Sequence, residues 1–151
     1  MSEKVICANP KAFHDYFVEE RFEAGVVLAG SEVKSLRLGK ANIKDGHALI
    51  KGDEAYLLNL HITPYQKIDS FSPEPDRTRK LLLHKEEIKK LFGKMKEKGY
   101  ALIPLRLYFK GDKVKVELGL ALGKKLYDKR ESIKKKEVSR ELQKVMKERN
   151  R

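Results

Sequence analysis

Several groups in this chain are able to do chemistry, and their spacings assemble no catalytic site. Ser31-Glu-Val-Lys34 has the S-x-x-K spacing of serine acyl enzymes. The partner motifs S-D-N and K-T-G are absent, and a capped amphipathic turn accounts for the segment better. Gly119-Leu-Ala-Leu-Gly123-Lys124-Lys125 looks like a phosphate-binding loop. Its glycines stand one residue too close, no Ser or Thr follows the lysine, and nothing marks a helix start. Lysines and backbone N–H groups there can still touch phosphates without hydrolysing them. His14, His47, His61 and His84 show no paired ligand spacing, and lone Cys7 supplies no zinc knuckle. His14-Asp15 is a single acid–base pair, read as surface hydrogen bonding. No nucleophile is joined to a base and an oxyanion site. The chain therefore reads as a binding protein and not an enzyme, with no cofactor and no metal.

Charge points to the ligand. The 151 residues carry 34 Lys or Arg against 22 Asp or Glu, a net of +12. Residues 124–151 alone hold 12 Lys or Arg against 5 Asp or Glu, a net of +7, and contain neither Gly nor Pro. A globular body with a long basic tail fits a polyanion, and RNA is the expected partner. An anionic membrane would attract the same charge, but the tail lacks a broad apolar face and aromatic anchors. No apolar run approaches the ~20 residues of a membrane span, and the first ten residues lack the apolar core of a secretory signal. One cysteine suits a reducing cytosol, so a cytoplasmic location is expected. Residues 1–123 are enough for one core and are read as one domain, with 124–151 as the tail.

The elements that must position these residues follow from pattern. Residues 1–10 read as a loose arm. Residues 13–29 read as one long or bent strand with Gly25 marking a bulge or bend. Ser31 is placed to cap a short helix through Leu38, with Gly39 as its stop. Ala48-Leu49-Ile50 and Tyr56-Leu57-Leu58 flank Lys51-Gly52-Asp53-Glu54, a hairpin signal. Residues 63–79 read as a long loop leading into Leu81-Leu82-Leu83, a short buried strand. Ile88, Leu91, Phe92 and Met95 form one apolar face of a helix over 85–98, ended by Gly99. Two alternating strands, one through Ile103, Leu105, Leu107 and Phe109 and one through Val114, Val116, Leu118 and Leu120, turn at Lys110-Gly111-Asp112. Phe13, Phe17, Phe92 and Phe109 are assigned to the core. About six strands joined by short turns predict a mainly β fold, an OB-fold-like antiparallel barrel with two or three flanking helices.

The segment Gly119-Leu-Ala-Leu-Gly-Lys-Lys-Leu-Tyr-Asp-Lys-Arg130 carries a family resemblance. It resembles the signature of the SmpB family of tmRNA-binding proteins. Further blocks agree in order: Asn9-Pro-Lys-Ala-Phe-His-Asp-Tyr16, Phe22-Glu-Ala-Gly25, Gly30-Ser-Glu-Val-Lys-Ser-Leu-Arg37 with Gly39-Lys40, and Arg77-Thr-Arg-Lys-Leu-Leu-Leu-His84. The resemblance implies an OB-fold barrel that binds the tRNA-like domain of tmRNA. It implies delivery of alanyl-tmRNA, with elongation factor Tu, to stalled 70S ribosomes in trans-translation. It also implies a tail that enters the empty decoding site and mRNA channel and folds there as a helix, while being disordered when free.

Carried over by position, the resemblance makes Glu23 an acidic tmRNA contact, and Leu82 and Lys115 further RNA contacts. His84 falls where many relatives have Asn. Tyr127 falls where relatives often have a His that stacks on a decoding-site base. Tyr keeps the flat face and loses the titratable ring. Lys124, Lys125, Tyr127, Asp128, Lys129 and Arg130 are the implied ribosome contacts. From the residues themselves, Lys34, Arg37 and Lys40 lie on or near one short helix and can meet phosphates. Tyr16 and Tyr65 are candidate base-stacking rings. A ribosomal or ribosome-assembly protein with a basic extension is the alternative that composition alone leaves open.

Overall fold

The computed structural model describes residues 3–65 and 73–125. In chain order the elements are β1 (Glu3–Ala8), α1 (Pro10–Asp15), β2 (Tyr16–Val26), α2 (Gly30–Arg37), β3 (Ala41–Asn42), β4 (His47–Lys51), β5 (Glu54–Leu58), β6 (His61–Ile62), β7 (Arg79–Leu82), α3 (Lys85–Met95), β8 (Tyr100–Lys110) and β9 (Lys113–Gly123). The hairpin turns fall where the sequence places them. Gly52 (φ +62°) reverses β4 into β5, and Gly111 (φ +65°) reverses β8 into β9. Both need a left-handed backbone that glycine adopts without strain.

Every strand pairing is antiparallel, and the fold is mainly β, as expected. The order of pairing returns on itself: β8–β4–β5–β7–β2–β9 and back to β8. Closure is uneven. β4 meets β8 only at Ala48 and Leu102, and β2 meets β7 only at Gly25–Leu82 and Val26–Leu81. β1 shares the edge of β8 with β4, pairing along Arg106 to Lys110. β3 and β6 form a separate two-stranded ladder.

The core lies inside this ring. Leu57, Leu60, Leu81, Leu102, Leu107, Val116, Leu118 and Leu120 are buried there, and α3 adds Leu91. A second, smaller cluster lies under α1, where Ala12 meets Ile103, Leu105 and Ala121. At that end both faces of β8 and β9 are covered, so the strict alternation of the sequence gives way to continuous burial.

Several expectations are corrected. Residues 3–8 are a strand, not a loose arm, because Ile6 and Cys7 pack on the core while the backbone extends the β8 edge. Burial pushes the Cys7 thiol up to about 11, so it stays protonated at neutral pH. Residues 13–29 are not one strand. Pro10 opens α1, where its missing N–H costs nothing, and β2 begins at Tyr16. The register irregularity of β2 lies between Val18 and Glu20, while at Gly25 the strand pairs Lys115 on one side and Leu82 on the other as it passes from β9 to β7. Ser31 is not the cap of α2. Ala29 precedes the helix and donates its N–H to the Glu32 carboxylate at 2.9 Å. Of the residues read as one loop at 63–79, residue 79 belongs to β7 and residues 66–72 lie outside the described residues. Phe13, Phe17 and Phe92 are exposed, and only Phe109 of the four is buried.

The largest buried charge fixes the loop after β6 to α2. Arg79 is fully buried and Glu32 is 5% exposed. Arg79 donates to the Glu32 carboxylate through Nε at 2.8 Å and through Nη2, and to the carbonyls of Leu60 (2.6 Å), Arg77 (3.1 Å) and Pro75 (3.0 Å). Arg77 donates Nε to both oxygens of Glu32 at 3.2 Å. Burial alone would raise the Glu32 carboxyl. Hydrogen bonds from Arg77, the Ala29 N–H and Arg79 outweigh it and hold the group below its ordinary range.

Candidate nucleic-acid interface

In an antiparallel sheet, directly opposed residues point to the same face. Two such rows cross the outside of the ring. Leu82 of β7 opposes Gly25 of β2, Gly25 opposes Lys115 of β9, Lys115 opposes Tyr108 of β8, and Tyr108 opposes Val5 of β1. One row along, Glu23 opposes Glu117, Glu117 opposes Arg106, and Arg106 opposes Ala8. Their chain neighbours Leu81, Ala24, Val116 and Leu107 are buried in the core, so these rows face outward.

Glu23, Leu82 and Lys115 are thus brought together from three strands. Leu82, expected in a buried strand, is 55% exposed, because β7 alternates and turns only Arg79 and Leu81 inward. Gly25 between it and Lys115 leaves a notch, because a Cβ there would come within 3.3 Å of the Leu82 Cβ. His84, two residues beyond Leu82, is exposed at the start of α3.

The face is tied together by charge. Arg106 donates Nε to Glu117 at 2.9 Å and both terminal nitrogens to Glu3 at 3.2 Å. Arg21 donates to Glu117 at 3.1 Å. The Tyr108 hydroxyl donates to Glu23 Oε2, and Lys110 Nζ lies 3.3 and 3.4 Å from the two Glu23 oxygens. The Arg106 guanidinium stands 4.2 Å over the Tyr108 ring. The Tyr108 hydrogen bond holds the Glu23 carboxyl below the usual range. Burial opposes that shift, while Lys110 and the nearby Lys115 charge reinforce it. Burial and the Glu23 carboxylate push the Tyr108 hydroxyl well above its ordinary value, so it remains a donor.

The other expected residues fall elsewhere. Lys34, Arg37 and Lys40 are exposed on and just after α2. Arg37 lines a cleft with Lys4, Phe109, Gly111 and Asp112, at the same turn end of β8 and β9 as Lys110. Lys34 stands 5.6 Å over the exposed Tyr65 ring, while Tyr16 is half-buried against the cluster under α1. Lys124 and Lys125 are exposed beyond the opposite end of β9. Tyr127, Asp128, Lys129 and Arg130 lie outside the described residues. His14 bonds Asp15 at 3.1 Å and His61 bonds Asp76 at 2.9 Å. Among the described residues no three His, Cys, Asp or Glu come together as a metal site. Sequence reasoning passed over Arg106, Tyr108, Lys110 and Glu117. Their signal was available: with Leu107 and Phe109 pointing inward, period two sends Arg106, Tyr108 and Lys110 outward.

In a chain of net charge +12, a small, mainly β body whose outer face interleaves Arg, Lys and Glu around an exposed leucine defines a protein of the nucleic-acid-binding class. A family model described as SmpB protein matches residues 6–148. The SsrA-binding protein of Geobacter metallireducens is 63% identical over 151 residues, covering 100% of this chain and 99% of the relative. That of Geotalea uraniireducens is 63% identical over 151 residues and covers 100% of both. A solved structure described as "tmRNA-SmpB: a journey to the center of the bacterial ribosome" is 47% identical, with a TM-score of 0.66 over 78% of this chain and 82% of that one. The chain belongs to the SmpB family.

Proposed function

We propose that this chain binds tmRNA and delivers it to stalled ribosomes for trans-translation, acting as a non-enzymatic RNA-binding protein in the cytoplasm. The body works as an OB-like barrel. It docks the tRNA-like domain of tmRNA on the outer face that carries Glu23, Leu82 and Lys115, with His84 at its border and Lys34, Arg37 and Lys40 meeting phosphates from α2. Elongation factor Tu joins through the alanylated RNA. Residues 124–151 reach into the empty decoding site and mRNA channel. Lys124, Lys125, Tyr127, Asp128, Lys129 and Arg130 contact ribosomal RNA there, in a segment without fixed structure when free and helical on the ribosome.

The observation that carries this reading is the meeting of Glu23, Leu82 and Lys115 on one row and its neighbour, from strands far apart in sequence. Family membership and the names of the relatives support it. A carboxylate on an RNA-binding face is chemically sensible, since it accepts from base N–H donors that a lysine cannot serve.

Affinity for the isolated tRNA-like domain is the test. Glu23→Ala and Lys115→Ala should each weaken binding about tenfold, the cost of losing one charge-assisted contact. Lys115→Ala should leave the thermal midpoint nearly unchanged, while Glu23→Ala should lower it by a few degrees without unfolding the body, because it strips the Tyr108 hydroxyl of its acceptor. If about six phosphates are neutralised, the plot of log affinity against log salt should have a slope of about −5. Full binding by both variants, or a salt-independent affinity, would refute the outer face as the docking surface. Co-sedimentation with ribosomes regardless of tmRNA would instead favour a ribosomal protein.

A further inference from the structure

We propose that Tyr108 is the positioning residue of this docking face: its hydroxyl fixes the Glu23 carboxylate in place for RNA, while Lys110 is the exchangeable partner that RNA displaces. The proposal rests on the function given above and assigns separate tasks to the two groups that hold Glu23.

The two partners differ in kind. Tyr108 is 1% exposed, it reaches Glu23 from the strand beyond β9, and its ring is covered by the Arg106 guanidinium. Arg106 is itself held by Glu117 and Glu3. A buried ring pinned from above cannot swing, so its hydroxyl is a fixed donor. Lys110 is attached differently. Its side chain is 41% exposed, and its contacts of 3.3 and 3.4 Å to the two oxygens are long for a charged pair. An ammonium on a flexible stem moves readily to a phosphate. When it leaves, Glu23 Oε1 and the outer lone pair of Oε2 are free to accept from RNA. Tyr108 stays behind and keeps the carboxylate oriented.

The arrangement also sets what the face accepts. An ionised carboxylate accepts and never donates, so Glu23 selects RNA groups with N–H or O–H donors, such as the amino edge of an unpaired base. Protonation would reverse that choice. The charged groups that act on Glu23 are Lys110 on β8 and Lys115 on β9, while Glu117, opposite it on β9, is taken up by Arg21 and Arg106, and Arg106 also holds Glu3 of β1; Tyr108 supplies a neutral donor. The Tyr108 bond is the main cause holding the carboxyl below its ordinary range, so removing the hydroxyl should raise it.

The test combines a double-mutant cycle with titration of the free protein. Tyr108→Phe keeps the ring and its stacking and removes only the hydroxyl. In the full-length chain it should weaken binding of the tRNA-like RNA about tenfold, with an unchanged salt slope. Added to Glu23→Gln, it should cost less than about twofold more, because the hydroxyl acts through the carboxylate. Lys110→Met should instead lower the magnitude of the salt slope by about one. NMR of the Glu23 side-chain carboxyl without RNA should show a lower pKa in the native protein than in Tyr108→Phe, and the acid limb of binding should move to higher pH in that variant. Equal losses from Tyr108→Phe with and without Glu23→Gln, or an unmoved Glu23 titration, would overturn the proposal while leaving tmRNA binding intact. Loss of all RNA binding by the native chain would instead remove the function it rests on.

Discussion

Glu32→Ala is expected to destabilise the folded body by about 3–5 kcal/mol, the usual cost of stranding a buried charge. Arg79 is the charge left behind. It is fully buried, and among the described residues the Glu32 carboxylate is the one anion that accepts its hydrogen bonds. The same carboxylate also accepts from the Ala29 N–H at the start of α2, so the helix loses its N-terminal anchor as well. For a body of this size the thermal midpoint should fall by roughly 10–20 °C. Replacing both buried partners, Glu32→Leu with Arg79→Met, should recover much of that loss, since the one charge then left without its partner, Arg77, has a side chain 31% exposed and can turn to water. A single variant within about 1 kcal/mol of native would show that water reaches Arg79.

Acid should act on the same cluster. The Glu32 carboxyl ionises below its ordinary value of 4.5 in the folded chain, so its contribution is fully present above that value. It is lost as pH falls through the lowered folded value, because the unfolded state binds the proton more readily. Urea midpoints measured from neutral pH downward should therefore drop more steeply for native protein than for Glu32→Gln below about pH 4.5. Parallel curves would mean that the exposed carboxylates, and not Glu32, set acid stability.

What could be read from the sequence was local. The β4–β5 and β8–β9 hairpins and α3 were visible because glycine turns and apolar periodicity act within a dozen residues. β1 was missed because an edge strand is stabilised by a partner about 100 residues away, and Glu3 and Lys4 hide it as polar chain. Phe13 and Phe17 were placed in the core by type. Phe13 instead lies on the surface with Arg21 5.3 Å from its ring. The Arg77-Thr-Arg79 run looks like an RNA-binding cluster in one dimension. Arg79 points inward because Glu32, 47 residues earlier, waits for it. The proposed docking face was half legible. Resemblance supplied Glu23, Leu82 and Lys115. Only the strand register could reveal that Tyr108 from β8 holds the first of them.

Removing residues 124–151 is expected to leave tmRNA binding within about threefold of native while abolishing alanine tagging on stalled ribosomes. The cut follows the last residue of β9. Gly123 pairs with Tyr16, and among the described residues every strand pairing of the ring is complete by Gly123, so the truncated body is expected to keep its fold. The docking row and the cut lie at opposite ends of one ribbon. Eight residues separate Lys115 from Gly123, roughly 26 Å along an extended strand. At physiological salt a charge is screened within about 8 Å, so Lys124 and Lys125 act weakly on RNA held at the far end. Those charges belong instead to whatever the end bearing Lys124 and Lys125 approaches, which in the proposed function is ribosomal RNA. Binding of labelled tRNA-like domain and single-round alanine transfer, measured on the same truncated protein, separate the two tasks. A truncated chain that still supports transfer would end the division between a docking body and a reaching tail. One that loses tmRNA affinity a hundredfold would do so as well, by placing the RNA across both ends of the ribbon.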